Sequence, residues 1–155
     1  MITVRLEKDG DQVEIESVRA AATSTLRETY RPGQKALANR ARISASFERL
    51  VALNDDIIIG TVQYRLENQS LRVIGLGVHT DHRRKGVARS LMSHLKEIAE
   101  REKTTALRLH TIKETGNVEV FTRLGFIVVA EQEDELMESD TFEKLTDVEM
   151  VMWLS

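Results

Sequence analysis

The chain has 155 residues, of which 41% are hydrophobic and 30% charged, as in ordinary soluble globular proteins, and its length suits one domain with a single core. Cysteine is absent, which excludes disulfides, thiolate zinc sites and a cysteine nucleophile, and a formal net charge of −3 argues against general affinity for nucleic acid or anionic membrane. No apolar run approaches the roughly 18 residues of a membrane span, and Met1–Leu6 lacks a signal-peptide core, so the expected address is the cytoplasm.

Ile2–Leu6 alternates and predicts a first strand, followed by the turn Lys8-Asp9-Gly10-Asp11. From Asp11 to Tyr30 the residues Ile15, Val18, Ala22, Leu26 and Tyr30 recur at helical spacing, which predicts an amphipathic helix stopped by Pro32-Gly33. Gln34–Ile43 predicts a second, weaker helix. Three strands in meander order come next. Phe47–Leu53 leads to the turn Asn54-Asp55-Asp56. Ile58, Val62, Tyr64 and Leu66 then share a face against Thr61, Gln63 and Arg65. After Asn68-Gln69 the apolar run Leu71 to Val78 predicts a buried strand. Gly75 and Gly77 inside it point to a bulge or a close backbone approach, and the sequence leaves the bulging residue open.

A strongly amphipathic helix follows, with Val87, Leu91, Leu95 and Ile98 on one face beside Ala88, Met92 and Ala99. Thr105–Thr111 predicts a strand with Leu107, Leu109 and Thr111 on one side. Asn117–Leu124 predicts a short helix with Asn117 as N-cap. Phe126–Ala130 and Val148–Leu154 predict the last strands, and Glu131 to Glu143 between them holds seven acids in thirteen residues. In the final strand Met150, Met152 and Leu154 share one face, Val151 and Trp153 the other. A strand apolar on both faces is either interior or covered by a second subunit, which makes a homodimer an expectation. With no repeat, linker or low-complexity tract, residues 1–155 read as a single domain.

The stretch Arg83-Arg84-Lys85-Gly86-Val87-Ala88 lies between the strand ending at Val78 and the N-terminus of the amphipathic helix. Free backbone N–H groups and the positive end of the helix dipole meet three cations there, an unfavourable arrangement unless an anion is held. Phosphate suits such a site. Gly86 and Ala88 carry little or no side chain, so a ligand can lie against the main chain.

Together with Arg123-Leu124-Gly125-Phe126, which follows a short helix and precedes an apolar strand, this stretch resembles the GNAT superfamily of N-acetyltransferases, clearly so from about Phe47 to Glu131. The resemblance implies the acyl-CoA N-acyltransferase fold: α/β, with a central, mostly antiparallel sheet of about seven strands, about four flanking helices, and a splay between the fourth and fifth strands. It implies transfer of acetyl from acetyl-CoA to a primary amine, on a small molecule or a peptide, by direct attack on the thioester. Arg83, Arg84, Lys85, Gly86, Val87, Ala88 and Arg89 match the loop that holds the CoA pyrophosphate. Val78 matches the position whose backbone pairs with the pantetheine arm and polarises the thioester carbonyl, a backbone role in which the side chain need not matter. The family's asparagine near the pantetheine has two matches, Glu114/Thr115 by spacing and Asn117 by identity. The link between the first two helices, Tyr30 to Asn39, would border the acceptor site.

Two departures bear on mechanism. Phe121 stands where many members carry a tyrosine that protonates the departing thiolate, and Leu71 to Val78 contains no acid where members often have a glutamate base. A non-catalytic acyl-CoA-binding module is therefore the alternative. His110 shares a strand face with Arg108 towards the splay and could act as a base, against the commoner structural role of a histidine. Gly75-x-Gly77 is not a dinucleotide fingerprint, since Thr80 stands at its third glycine. His79 and His82 flank Asp81, but without cysteine they read as surface histidines and no metal site is expected. Glu131–Glu143 reads as a solvated hairpin, or as an attractor for a cationic acceptor.

Overall fold

The computed structural model describes residues 1–154. Seven strands make one sheet: β1 (Ile2–Leu6), β2 (Glu48–Asn54), β3 (Ile57–Glu67), β4 (Ser70–Val78), β5 (Ala106–Ile112), β6 (Ile127–Asp134) and β7 (Leu145–Trp153), in the spatial order β1-β2-β3-β4-β5-β7-β6. Neighbours are antiparallel except β4 and β5, which run parallel because α3 crosses between them. The helices are α1 (Gln12–Ser24), α2 (Gln34–Ser44), α3 (Val87–Arg101) and α4 (Asn117–Arg123). A two-residue ladder, Arg31–Pro32 with Met137–Glu138, lies apart from the main sheet. This is the mixed α/β architecture the sequence predicts.

Each face of the sheet buries its own apolar layer. α3 turns Val87, Leu91, Met92, Leu95, Ile98 and Ala99 inward, the face expected from their spacing. They pack on Leu50, Val62, Val73, Leu107 and Met150 of five strands. Burying one such leucine is worth about 1.5–3 kcal/mol, so this layer fixes where the N-terminus of α3 sits. On the opposite face Ile15 and Val18 of α1 pack on Val51, Leu53 and Ile58. α1 also reaches β4: a Cβ placed on Gly77 would lie 3.1 Å from Ala22 Cβ.

Two expectations are corrected. The first helix ends at Ser24, short of Tyr30, and a single 3₁₀ turn, Leu26–Glu28, follows it. Thr23 and Ser24 turn their hydroxyls back onto the carbonyls of Arg19 (2.8 Å) and Ala21 (2.9 Å), competing with helix continuation, so the helix fails before Pro32 is reached. The last two strands are longer than their apolar cores, because the β6–β7 ladder carries on through Glu133↔Thr146 and Asp134↔Leu145. β7 itself is interior to the sheet, between β5 and β6, with Val148, Met150 and Val151 wholly buried and Trp153 exposed. Among the described residues no helix is long and apolar enough to cross a membrane.

Asp11 anchors the turn into α1. Its carboxylate accepts the Lys8 N–H at 2.9 Å and pairs with Arg5 at 2.7 Å. The Arg5 hydrogen bond first, and the Lys8 N–H second, hold its carboxyl down at about 2, from an ordinary 3.8. A carboxyl depressed in the folded state stabilises above its unfolded pKa and loses that contribution as pH falls through the folded value. Asp11→Asn should therefore lower unfolding free energy by about 1–3 kcal/mol near neutral pH. The gap to the wild type should close as pH falls from about 4 to about 2, as measured by urea titration across that range.

Candidate active site

The β3–β4 register pairs Thr61 with Gly77 and Gln63 with Ile74, so Gly75 and Leu76 together oppose Val62. That is a β-bulge, and Gly75, at φ +64°, is the residue that makes it. On its other side β4 pairs with β5 at three positions, Ser70↔Ala106, Leu71↔Leu107 and Arg72↔Arg108. Beyond Arg72 the strand keeps β3 as neighbour and has no β5 partner, and Val78, opposite Gly60 of β3, lies in this one-sided stretch. β5 meanwhile stays paired with β7 through Ile112↔Asp147. The facing edges of β4 and β5 thus carry main-chain groups with no ladder partner across the gap.

The basic turn caps that edge. Arg84 (φ +64°) and Gly86 (φ +81°) both take left-handed backbone conformations, and Gly86 is the cap residue of α3, with no side-chain cap bond. A Cβ on Gly86 would meet nothing within 4 Å, so the glycine answers to backbone conformation and leaves open space beside it. Among the described residues the N–H groups of Arg83 to Arg89 find no protein acceptor, and the first intrahelical bond there is Ser90 N–H to Gly86 O at 2.9 Å. Arg83, Arg84, Lys85, Gly86 and Arg89 are exposed, Ala88 is half-buried, and Val87 is anchored in the core. Asp81 turns to His79 (3.7 Å) and leaves the turn's cations unopposed. Arg83 Nη2 donates to Ala22 O at 3.5 Å, tying the turn to the end of α1. An array of free N–H donors and cations at a helix start can hold two linked phosphates.

On the β5 side the expected residues divide. Asn117 is the first residue of α4 and not its cap. That place belongs to Gly116 (φ +81°), while Thr115 Oγ1 accepts the Asn117 N–H at 3.1 Å. Glu114 is committed to β7, its carboxylate accepting Thr146 N–H (2.7 Å) and Thr146 Oγ–H (3.0 Å). Asn117, half-buried, is the member of that pair of candidates whose side chain makes no hydrogen bond among the described residues. Phe121 packs edge-to-face on the buried Phe126, centroids 6.0 Å apart, and leans on the main core.

His110 sits among charged side chains of β5 and β7. Its Nδ1 lies 2.8 Å from Asp147 Oδ2, and the ring lines a cavity of about 160 Å³ with Glu67, Ser70, Arg72, Arg108 and Glu149. Asp147 was out of reach of sequence reasoning because it sits 37 residues away on β7, and the β5–β7 register alone makes them neighbours. The one available signal is that Asp147 and Glu149 alternate with apolar residues, which puts both acids on a single strand face.

The acidic segment is more than a hairpin. Gly33 N–H donates to Leu136 O at 2.8 Å, and Arg31 meets Glu138 (3.4 Å) and Asp140 (3.0 Å). Ser139 and Thr141 donate to the carbonyls of Thr29 and Glu28. The link between the first two helices is therefore strapped to the β6–β7 loop. Lys113–Glu131 (3.1 Å) and Lys144–Glu133 (3.6 Å) pair two more acids, so four of the seven have a local cation, Arg31 serving two of them, and the segment stays acidic. Gly33 is there for clearance: a Cβ would stand 2.7 Å from Leu136 O. Gly33→Ala should break the strap, costing about 1–3 kcal/mol. Limited proteolysis within residues 135–144 should then run faster than in the wild type, and unchanged cleavage would mean that the strap does not restrain that loop.

A bulged strand leaving its parallel neighbour, feeding a basic turn at a helix start, is the layout of an acyl-CoA N-acyltransferase. The structure superimposes on the ribosomal-protein-S18-alanine N-acetyltransferase of Escherichia coli with TM-score 0.76, at 15% identity, over 100% of this chain and 95% of that one. A Bacillus subtilis acetyltransferase in complex with CoA gives 0.75 at 13% identity, with both chains covered in full. A GNAT acetyltransferase of Elizabethkingia anophelis with acetyl-CoA bound gives 0.73 at 14%, over 99% and 98%. No curated protein sequence matches the chain. The profile of the acetyltransferase (GNAT) family matches residues 15–126, and the chain belongs to that family, whose enzymes draw their acetyl group from acetyl-CoA.

Proposed function

We propose that this chain transfers an acetyl group from acetyl-CoA to a primary amine by direct attack on the thioester. The turn from Arg83 to Arg89 carries the reading, with unbonded N–H groups and unopposed cations at the head of α3, next to the strand edge that β5 leaves bare. Arg83, Arg84, Lys85 and Arg89, with the N–H groups of Gly86, Val87 and Ala88, hold the pyrophosphate. The main chain of β4 up to Val78 takes the amides of the pantetheine arm and polarises the thioester carbonyl, and Asn117 and Phe121 flank the arm from α4. Chemistry then depends on positioning and backbone polarisation, each worth several kcal/mol in such sites. The CoA and acetyl-CoA found in the Bacillus and Elizabethkingia structures support the donor. The Escherichia coli neighbour's name puts peptide N-termini beside small amines among acceptors to try.

Thiol release from acetyl-CoA, measured with and without a broad amine panel, tests the reading. Amine-dependent release is expected. Binding of acetyl-CoA with no release for any amine would favour a non-catalytic acyl-CoA-binding module. Gly86→Glu puts bulk and negative charge where the phosphates lie, and Gly86→Ala imposes the same backbone strain without the charge. Calorimetry should find acetyl-CoA binding abolished in the first and only weakened in the second; unchanged affinity in Gly86→Glu would remove the phosphate-site assignment.

Phe121→Tyr addresses the leaving group. A thiol of pKa about 8.5 departs tolerably as thiolate, so a restored phenol should raise the single-turnover rate by at most about tenfold. Because the ring is packed on Phe126, a fall in melting temperature with no gain in rate would assign Phe121 to structure alone.

A further inference from the structure

At neutral pH an amine acceptor arrives as an ammonium and must lose a proton before it can attack. β4 supplies no acid for this. His110 is placed to do it. It lies on β5 two residues past Arg108, the last residue paired to β4, so its strand edge borders the gap. Its side chain is 46% exposed, while that of Asp147 is only 15% exposed. A carboxylate accepts and cannot donate, so the 2.8 Å contact fixes the proton on Nδ1 and leaves the lone pair of the neutral ring on Nε2. The ring lines a cavity together with Arg72 and Arg108, the last ladder pair before the gap opens. The charged groups around the ring come from four elements, with Glu67 supplied by β3. Glu149 of β7 is 4.0 Å from Nε2. Arg108 of β5 lies 3.6 Å from Glu149, and Arg72 of β4 pairs with Glu67 at 3.5 Å. β6 brings only the neutral Gln132, opposite Asp147.

We propose that His110 is the general base of the reaction and that Asp147 is its positioning residue, an inference that rests on the acetyl-transfer reading above. The ammonium gives one proton to His110 Nε2. The freed lone pair forms the C–N bond at the thioester carbonyl carbon, the C–S bond breaks, and sulfur leaves with its electron pair as CoA thiolate. The second nitrogen proton passes to that thiolate, giving the amide and free CoA, and His110 releases its proton to solvent. Asp147 stays ionised throughout, holding the Nδ1–H tautomer and steadying the imidazolium.

The test uses the best acceptor from the amine panel and follows kcat/KM against pH for the wild type, His110→Gln and Asp147→Asn, with acetyl-CoA affinity measured on each. His110→Gln should lose about a hundredfold near neutral pH and recover towards high pH, where free amine comes from solution. Asp147→Asn can offer its amide N–H to Nδ1 and turn the ring to the Nε2–H tautomer. Nitrogen-15 histidine NMR should record that proton moving, together with a roughly tenfold or greater loss of kcat/KM and unchanged acetyl-CoA affinity. A residue that merely braced β5 against β7 would shift melting temperature and leave the pH profile intact. Wild-type kcat/KM and profile in His110→Gln would overturn the assignment while leaving the transferase reading standing. A wild type that binds acetyl-CoA and acetylates no amine would overturn both.

Discussion

The three-pair limit on parallel pairing between β4 and β5 is the constraint on which the rest of the molecule depends. A ladder running the length of both strands would satisfy every backbone group and leave nowhere for a chain-like ligand to lie. The bulge at Gly75 and Leu76 inserts an extra residue against Val62, raising the local twist just where the ladder stops. Each forgone backbone bond is worth about 1 kcal/mol, so a row of them is a standing cost that an amide-bearing ligand recovers on binding. The core layer under α3 is large enough to sustain that cost, because it packs the helix chiefly on β1 to β4, with β5 contributing less.

Charge is distributed with the same economy. The chain is acidic overall, yet the head of α3 brings together Arg83, Arg84, Lys85 and Arg89, which no acid opposes among the described residues. On the other sheet face, beyond α1, acids and bases interleave: Glu67 with Arg65 and Arg72, Glu149 with Arg108, Asp147 with His110. The first arrangement is incomplete without a polyanion. The second is internally balanced, so it discriminates by geometry and proton affinity more than by field. The two sides of the gap thus present different electrostatic surroundings.

Local signals were legible and long-range ones were not. α3 could be read because six core residues fall on one face of an uninterrupted helix. The basic turn could be read because every residue that defines it is contiguous. The end of α1 was misread because apolar spacing continues through Leu26 and Tyr30 while the Thr23 and Ser24 hydroxyls have already diverted the backbone. Placing the cap at Asn117 followed residue preference, whereas the left-handed Gly116 before it is decided by the turn out of β5. The bulge could be narrowed to two glycines and no further, since strand register fixes it. That the last strand is interior was one of two readings its sequence left open, and the pairing of β6 along its edge decides the place in the sheet.

The clearance at Gly33 reaches further than its local contact. Leu136 and Gly33 belong to segments far apart in the chain, yet with a carbonyl 2.7 Å from where a methyl would stand they can move only as one piece. Two loops that would otherwise drift separately in length and composition are thereby made to change in step. An insertion in one must be matched by a compensating alteration in the other, or the ladder between Pro32 and Met137 is lost. For an engineer varying either loop, the unit of redesign is therefore the strap with both of its ends, and libraries that randomise a single loop would sample mostly broken clasps.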